Sequence, residues 1–263
     1  MNITRRDALR ALGTGAAVTA LSGLRGLQAS VPTAGLTAAA TDAEGKVRHE
    51  LLPYRRLDAA TVASRAYDNY YAGECMYAVF ASIVEALAER VGEPYTSFPT
   101  TFTRYGAGGV VGWATLCGAL NGAAMAIYLV SPDPEPAIDE VFGYYGQAEL
   151  PNYRPAQAKY AVTTSVAESV LCHVSVSKWC AESGKKSFSP ERSDRCAQLS
   201  ASVAMKTVEV LNAQFDGSFK PAYALPDAVE DCRGCHDKGS RFENTRGKDS
   251  CPSCHEGFLD NHP

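Results

Sequence analysis

The chain has 263 residues, of which 46% are hydrophobic and 21% charged, and its formal net charge at pH 7 is −4. These values are ordinary for one large globular domain, or for one domain with appendages. The absence of a run of 18 or more apolar residues excludes a predicted transmembrane helix, and the acidic balance argues against nucleic acid as a partner.

The first 40 residues have the features of an export signal. Arg5 and Arg6 precede a weakly apolar stretch, rich in Gly and Ala, that ends in small residues. This order resembles a twin-arginine signal peptide, and the small residues permit cleavage after Ala29 or Ala40. The alternative is a cytoplasmic amphipathic helix, which the glycines of this stretch disfavour. The segment carries four arginines and one aspartate, a net +3, so the mature periplasmic chain would carry −7.

Residues 41–57 are predicted to be a loose lead-in and residues 58–217 a helical domain. Asp58 and Ser189 are candidate N-caps, and Gly92 and Gly217 are candidate stops. Helices are predicted over residues 59–70, 75–90, 113–130, 138–149, 165–183 and 190–211. No segment alternates convincingly with a period of two. The predicted fold class is therefore all-α, a helical bundle followed at residues 218–263 by a linker (residues 218–230) and an irregular tail.

The tail contains two Cys-x-x-Cys-His units, Cys232–His236 and Cys251–His255. The spacing of their cysteines also matches a zinc ribbon, which binds Zn²⁺ through four thiolates and needs no histidine. Histidine makes up only 5 of 263 residues, so its presence after both cysteine pairs favours a different chemistry. Covalent haem c requires this arrangement, because each thiol bonds a vinyl group and the adjacent His binds the iron. The sequence predicts two haems c, with a zinc-ribbon structural protein as the alternative.

The two irons need ligands on both faces. The attaching thiols are Cys232, Cys235, Cys251 and Cys254, and the proximal iron ligands are His236 and His255. His173 and His262 are the expected distal ligands, with His49 in reserve. An iron with His on both faces suits electron transfer and leaves no open position for a substrate.

The composition of the tail supports this interpretation. Residues 231–263 contain only three large apolar side chains, Phe242, Phe258 and Leu259. Such a segment buries too little apolar surface to offset the entropy of ordering it. Two porphyrins would supply the missing surface, so we expect a tail that is organised by haem and disordered without it.

Five further cysteines lie in the predicted helical domain. They are Cys75, Cys117, Cys172, Cys180 and Cys196. An iron–sulfur cluster needs four thiolates, and a disulfide between two of the five is the alternative. Cys172 and Cys180 are eight residues apart, about 12 Å along one straight helix, which is long for two ligands of one small cluster. One of these two is therefore expected to lie outside the ligand set.

The segments Gly73–Val79, Gly108-Gly109 and Cys117–Ala123 together resemble the C_GCAxxG_C_C redox-active family. The family's third and fourth cysteines would be Cys172 and Cys196, which leaves Cys180 out. This body with a two-haem tail is similar to the split-Soret cytochromes c over roughly residues 50–263. The resemblance implies a helical homodimer with a [2Fe–2S]-type cluster in each body. It also implies closely packed bis-His haems near the dimer interface, each pair receiving one axial His from the partner subunit.

The predicted function is that of a periplasmic dihaem c-type cytochrome with an iron–sulfur cluster, which transfers electrons to a redox partner protein. A multihaem reductase acting on a small molecule is the second interpretation, and it would need an iron with an open position. No Ser/His/Asp or paired-carboxylate arrangement indicates a catalytic residue. An electron carrier is therefore favoured over an enzyme.

Overall fold

The computed structural model describes residue 41 and residues 43–255. It divides into two compact units, one ending at Arg48 and the other beginning at His49. In the first unit, Thr41 and Val47 form an antiparallel bridge around a turn that includes Gly45. The predicted signal peptide and His262 lie outside the described residues.

The second unit is built mainly from α-helices, which confirms the predicted all-α class. Its elements are α1 (Ala59–Val91), α2 (Gly118–Val130), α3 (Pro134–Gln147), β1 (Glu149–Leu150), β2 (Ser165–Val166), α4 (Cys172–Ser183), α5 (Pro190–Phe215), α6 (Asp227–His236) and α7 (Pro252–His255). Two 3₁₀ helices, Tyr95–Ser97 and Thr101–Gly106, lie between α1 and α2. The strands pair antiparallel, with Glu149 opposite Val166 and Leu150 opposite Ser165.

The two predicted N-caps are confirmed. The Asp58 carboxylate accepts a 2.7 Å hydrogen bond from the Thr61 N–H at the start of α1. The Ser189 hydroxyl accepts a 3.1 Å bond from the Arg192 N–H at the start of α5. Each cap satisfies a backbone donor that has no partner within its helix.

Several predicted helix boundaries are wrong. The helix predicted from residue 113 begins at Gly118, because the preceding loop has positive φ at Val110, Val111 and Ala114 and cannot continue a helix. The helix predicted from residue 165 begins at Cys172, because Ser165–Val166 pairs as a strand instead. Pro134 starts α3 earlier than predicted, and α6 begins inside the predicted linker.

Helices α1 and α5 pack along each other and form the centre of the core, with α2 against α1. Fully buried side chains at their contact include Phe80, Ile83, Leu120, Val203 and Val208. Helix α1 is the one described helix that is long and apolar enough to cross a membrane, but 67% of its most apolar 18-residue window is buried inside the protein. It therefore serves as a core helix of this unit.

Candidate functional site

Four of the five body cysteines lie around one buried region where α1, α2, α4 and α5 meet. Cys117 is the N-cap of α2 and Cys172 is the first residue of α4. A backbone bridge between Leu116 and Leu171 sets these two positions side by side, and the Cys172 N–H donates to the Thr115 carbonyl at 2.7 Å. Cys75 on α1 and Cys196 on α5 complete the group, and Cys75, Cys117 and Cys196 are buried.

The two glycines that follow Cys117 explain how α2 comes so close to α1. A Cβ on Gly118 would lie 2.5 Å from the Gly106 carbonyl oxygen and 3.1 Å from the Cys75 Cβ. A Cβ on Gly122 would lie 2.6 Å from the Met76 carbonyl oxygen. The Cys-Gly-x-x-x-Gly spacing therefore lets two helix backbones meet, which brings Cys117 to Cys75.

Helix α1 is kinked immediately before Cys75. Glu74 has φ 67° and ψ −173°, so Cys75 opens a second helical segment rather than continuing the first. Non-glycine residues pay for a positive φ, and such strain is concentrated at functional sites. Cys75, Cys117 and Cys172 thus all sit at the N-terminal end of a helical segment, where the helix dipole stabilises a thiolate.

The electrostatics of the four thiols show that they are close neighbours. Burial raises the pKa of Cys75 well above its ordinary value, and the thiols of Cys196, Cys117 and Cys172 raise it further. Burial, with Cys117 and Cys196 beside it, raises the pKa of Cys172 to about 12. Without a bound cation the group would therefore stay protonated, whereas a metal would replace those protons.

The fifth body cysteine, Cys180, lies about two turns further along α4, toward the opposite end of that helix from Cys172. No disulfide joins any two of the nine cysteines, all of which lie within the described residues. Within residue 41 and residues 43–255, no three His, Cys, Asp or Glu side chains converge tightly enough for a single metal ion.

Two side chains that the sequence analysis did not identify adjoin the thiols. Arg195 is 1% exposed, and its Nε and Nη1 atoms have no hydrogen-bond partner in the structure. Tyr145 is also 1% exposed, and its hydroxyl lies beside the Cys117 thiol without meeting hydrogen-bond geometry. Arg195 directly precedes Cys196 on α5, and this adjacency was the one signal of its role in the sequence.

A second cation, Arg192, lies one turn earlier on α5. Burial alone would lower the pKa of Arg192, but the neighbouring Cys196, Tyr70 and Cys75 raise it above its ordinary value. Its Nε donates to the Ser187 carbonyl at 2.5 Å. The four-thiol group therefore has two guanidinium groups on its α5 side, whereas the Glu74 carboxylate acts on Cys75 from α1.

His173 follows Cys172 directly and is exposed. Its Nδ1 lies 3.0 Å from the Ala114 carbonyl oxygen, in the loop that has positive φ at Val110, Val111 and Ala114. Because a carbonyl can only accept, Nδ1 carries the proton and the lone pair is on Nε2. This is the tautomer in which a histidine binds iron through Nε2 while its other nitrogen is held by the protein.

The two Cys-x-x-Cys-His units lie close together in the tail. Burial and the adjacent Cys232 thiol raise the pKa of Cys251, so the first cysteines of the two units are neighbours. Cys235 and Cys254 are exposed. His236 ends α6, stacks on Phe242 with ring centroids 5.2 Å apart, and its Nδ1 lies 2.8 Å from the Asn244 side-chain oxygen.

The tail docks on the body just before Cys172. The Asp249 carboxylate accepts hydrogen bonds from the Val170 N–H at 3.1 Å and the Ser169 hydroxyl at 2.8 Å. Lys248 pairs with Asp139 of α3 at 2.6 Å. The second Cys-x-x-Cys-His unit and His173 are thus both within a few residues of one anchoring contact.

The remaining histidines are placed differently. His49 stacks on Tyr128 with centroids 4.2 Å apart and its Nε2 contacts the Tyr128 carbonyl, on the opposite end of α2 from Cys117. His255 ends α7, and His262 is outside the described residues. The structure therefore places His173, but not His49, beside the four-thiol group.

Comparison with known proteins agrees with these features. Residues 75–210 match the family described as "Putative redox-active protein (C_GCAxxG_C_C)". The chain is 35% identical to the split-Soret cytochrome c of Desulfovibrio desulfuricans over 98% of this chain and 96% of that protein. A solved structure described as "A novel iron centre in the split-Soret cytochrome c from Desulfovibrio desulfuricans ATCC 27774" has a TM-score of 0.74 and 35% identity, covering 81% of this chain and 95% of its own. The chain therefore belongs to the split-Soret cytochrome c family.

Proposed function

We propose that this protein is an electron carrier that holds two covalent haems c and one iron–sulfur cluster of the [2Fe–2S] type. The observation that carries the proposal is the pair Cys172 and His173. One of these consecutive residues belongs to the four-thiol group, and the other presents Nε2 at the surface next to the tail. A cluster ligand and a haem ligand would then be joined by one peptide bond.

The cluster would be held by Cys75, Cys117, Cys172 and Cys196. When bound, it would supply a one-electron redox centre. The protein would contribute three helix N-termini and two adjacent guanidinium groups, which favour thiolates over thiols. Burial of the site opposes ionisation of the thiols, so the bound metal would supply the rest of the stabilisation.

The haems would attach through Cys232 and Cys235, and through Cys251 and Cys254, with His236 and His255 as proximal ligands. The Asn244 and Phe242 contacts would orient the His236 ring, as outer partners of iron-binding histidines do. His173 and His262 are proposed as distal ligands. The adjacency of Cys232 and Cys251 supports two haems that lie close together.

We also propose that the protein works as a homodimer in the periplasm. Val111 is 74% exposed and Trp113 80% exposed, on the loop that holds His173. A second protomer would cover this apolar surface and bring its own histidine to the haems. Replacing Arg5 and Arg6 by lysines should block export if residues 1–40 are a twin-arginine signal.

One set of measurements on the purified protein tests the proposal. A pyridine haemochrome assay should give two haems c per chain, and iron and acid-labile sulfide analysis should give about two further irons and two sulfides per chain. Reduced haems that do not bind CO would indicate a carrier. An iron that binds CO would favour the small-molecule reductase, and a colourless zinc-containing protein would indicate the zinc ribbon.

A further inference from the structure

The buried guanidinium of Arg195 is poorly satisfied by its own protein. Its one hydrogen bond runs from Nη2 to the Ser175 hydroxyl at 3.0 Å, and Nε and Nη1 have no partner. No carboxylate among residues 43–255 forms an ion pair with it. An arginine side chain stays charged in proteins, so a 1% exposed residue of this kind carries a charge without a counter-ion.

Such an arrangement is costly unless an anion occupies the neighbouring space. Removing a charge from water without pairing it costs several kcal/mol, on the order of the whole stability margin of a domain. Helix α5 places this charge immediately before Cys196, and the same guanidinium lowers the pKa of Cys117 and of Cys172 against the effect of burial. The unpaired donors therefore belong to the environment of the four thiols.

Tyr145 adds an independent observation at the same place. Its hydroxyl, on α3, is buried beside the Cys117 thiol and the Ser175 hydroxyl, and it meets hydrogen-bond geometry with neither. Three buried donors from two helices are thus left over around one group of cysteines: Arg195 Nε, Arg195 Nη1 and the Tyr145 hydroxyl. Native proteins leave few buried donors unpaired, so a concentration of three points to an acceptor that binds there.

We propose that Arg195 is the counter-charge of the iron–sulfur cluster, and that Arg195 and Tyr145 donate hydrogen bonds to its sulfur atoms and raise its reduction potential. This inference rests on the cluster assigned under the proposed function. A four-thiolate [2Fe–2S] centre carries roughly two negative charges when oxidised and about three when reduced. A fixed positive charge and fixed donors stabilise the reduced form more, without any bond being made or broken and without uptake of a proton.

The first test measures the reduction potential of the cluster in the full chain with its haems. A redox titration monitored by EPR gives this potential. Arg195→Met should shift the potential to more negative values. Arg195→Lys should keep most of the wild-type potential, because it retains the charge. Tyr145→Phe should shift the potential in the same direction as Arg195→Met, by less.

Arg90→Met is the matched control, because it removes one positive charge as Arg195→Met does. Arg90, however, is exposed and lies about 22 Å from Cys75 along α1. The potential of this variant should equal that of the wild type. An unchanged potential in both Arg195→Met and Tyr145→Phe would overturn the proposal.

The second test separates a counter-charge from an ordinary structural residue. In full-length protein depleted of the cluster, Arg195→Met should raise the midpoint of thermal unfolding, because it removes an unpaired buried charge. In cluster-loaded protein it should lower that midpoint and speed cluster loss. A decrease of similar size in both forms would show a structural role and contradict the inference.

The absence of the cluster and the absence of a role for Arg195 would give different experimental results. Wild-type protein without acid-labile sulfide, prepared anaerobically, would refute the cluster itself. Wild-type protein with sulfide, and with a potential insensitive to both substitutions, would refute only the role of Arg195 and Tyr145. If Arg195→Met does not accumulate as folded protein, Tyr145→Phe and Arg195→Lys decide the outcome by their potentials alone.

Discussion

The backbone N–H of Val170 donates a 3.1 Å hydrogen bond to the carboxylate of Asp249, and this contact ties the C-terminal tail to the segment that leads into Cys172. Two residues beyond Asp249 the second Cys-x-x-Cys-His unit begins, and two residues beyond Val170 is the first residue of α4. One anchoring contact therefore sets the distance between a proposed haem and the proposed cluster.

Asp249→Ala should loosen this anchor. It removes two hydrogen bonds to a charged acceptor, from Val170 and Ser169, each contributing about 1.5–3 kcal/mol. We expect faster proteolysis of the tail and faster hydrogen exchange of the Val170 N–H. The free energy of unfolding of the helical body should change little, because the tail can detach locally while the body stays folded. Asp231→Ala is the control, since Asp231 is an exposed carboxylate of the same tail. Equal protection in the two variants would show that the anchor does not hold the tail.

Gly122→Ala should separate Cys117 from Cys75. The added methyl group would lie 2.6 Å from the Met76 carbonyl oxygen and 3.2 Å from the Phe80 nitrogen, both backbone atoms of α1 that cannot move alone. Overpacking of this kind costs about 1–3 kcal/mol, measured as the free energy of unfolding in denaturant. We expect the iron and sulfide content to fall with it.

Gly146→Ala is the control for this substitution, because no atom lies within 4 Å of the added methyl group. It should be neutral, or stabilise by up to about 1 kcal/mol through the loss of glycine flexibility. A change in the free energy of unfolding that is similar in both variants would mean that close packing of α2 on α1 does not explain the glycine of the motif.

His173→Ala should leave one haem iron without its distal ligand. If Nε2 of His173 is a distal ligand, its loss converts a low-spin iron into a high-spin iron that binds CO in the reduced protein. The absorption spectrum with and without CO measures this. His49→Ala should leave both haems low-spin, because His49 stacks on Tyr128 at the far end of α2. The reverse pattern would assign the distal position to His49.

The contact between the linker and α3 should weaken at acid pH, because protonation of Glu140 removes the charge that holds it. This residue is buried, which by itself raises the pKa of its carboxyl. The Lys206 ammonium at 2.7 Å and the N–H groups of Ala222 and Tyr223 outweigh that effect and hold the pKa below its ordinary value of 4.5. The unfolded chain therefore takes up more protons in acid, and the stabilisation present above about pH 4.5 is lost as the pH falls through the lowered pKa.

Hydrogen exchange of the Ala222 and Tyr223 amides, corrected for the intrinsic effect of pH, measures this loss. Protection should be high at neutral pH and should fall in acid. Glu140→Gln should have weaker protection at neutral pH and no further acid transition. Protection that is unchanged between neutral and acid pH in the natural protein would contradict the role of Glu140.

Much of the site could be predicted from residue order because its chemistry is local. A haem c motif needs two thiols and a histidine within five residues. Cys232–His236 and Cys251–His255 can therefore be identified from the sequence alone, without knowledge of the fold. The caps at Asp58 and Ser189 are local in the same sense, since each bonds an N–H three residues away. The helix start at Cys172 was mispredicted because the pairing of Ser165–Val166 with a distant strand outweighed helix propensity.

The surroundings of the four cysteines required the tertiary structure. The break of α1 before Cys75 was predicted, as a gap between helices at 59–70 and 75–90, and Glu74 is its non-helical residue. Residue order alone does not indicate that the Ala114 carbonyl holds His173, or that Arg195 is buried without a counter-ion. These are relations between segments that are far apart in sequence, and they depend on how close the helices pack. The residue types that bind a haem or a cluster follow from the chemistry of that cofactor, so they can be recognised in the sequence. The charges and hydrogen bonds around the cofactor depend on which distant helices pack together, so only the tertiary structure decides them.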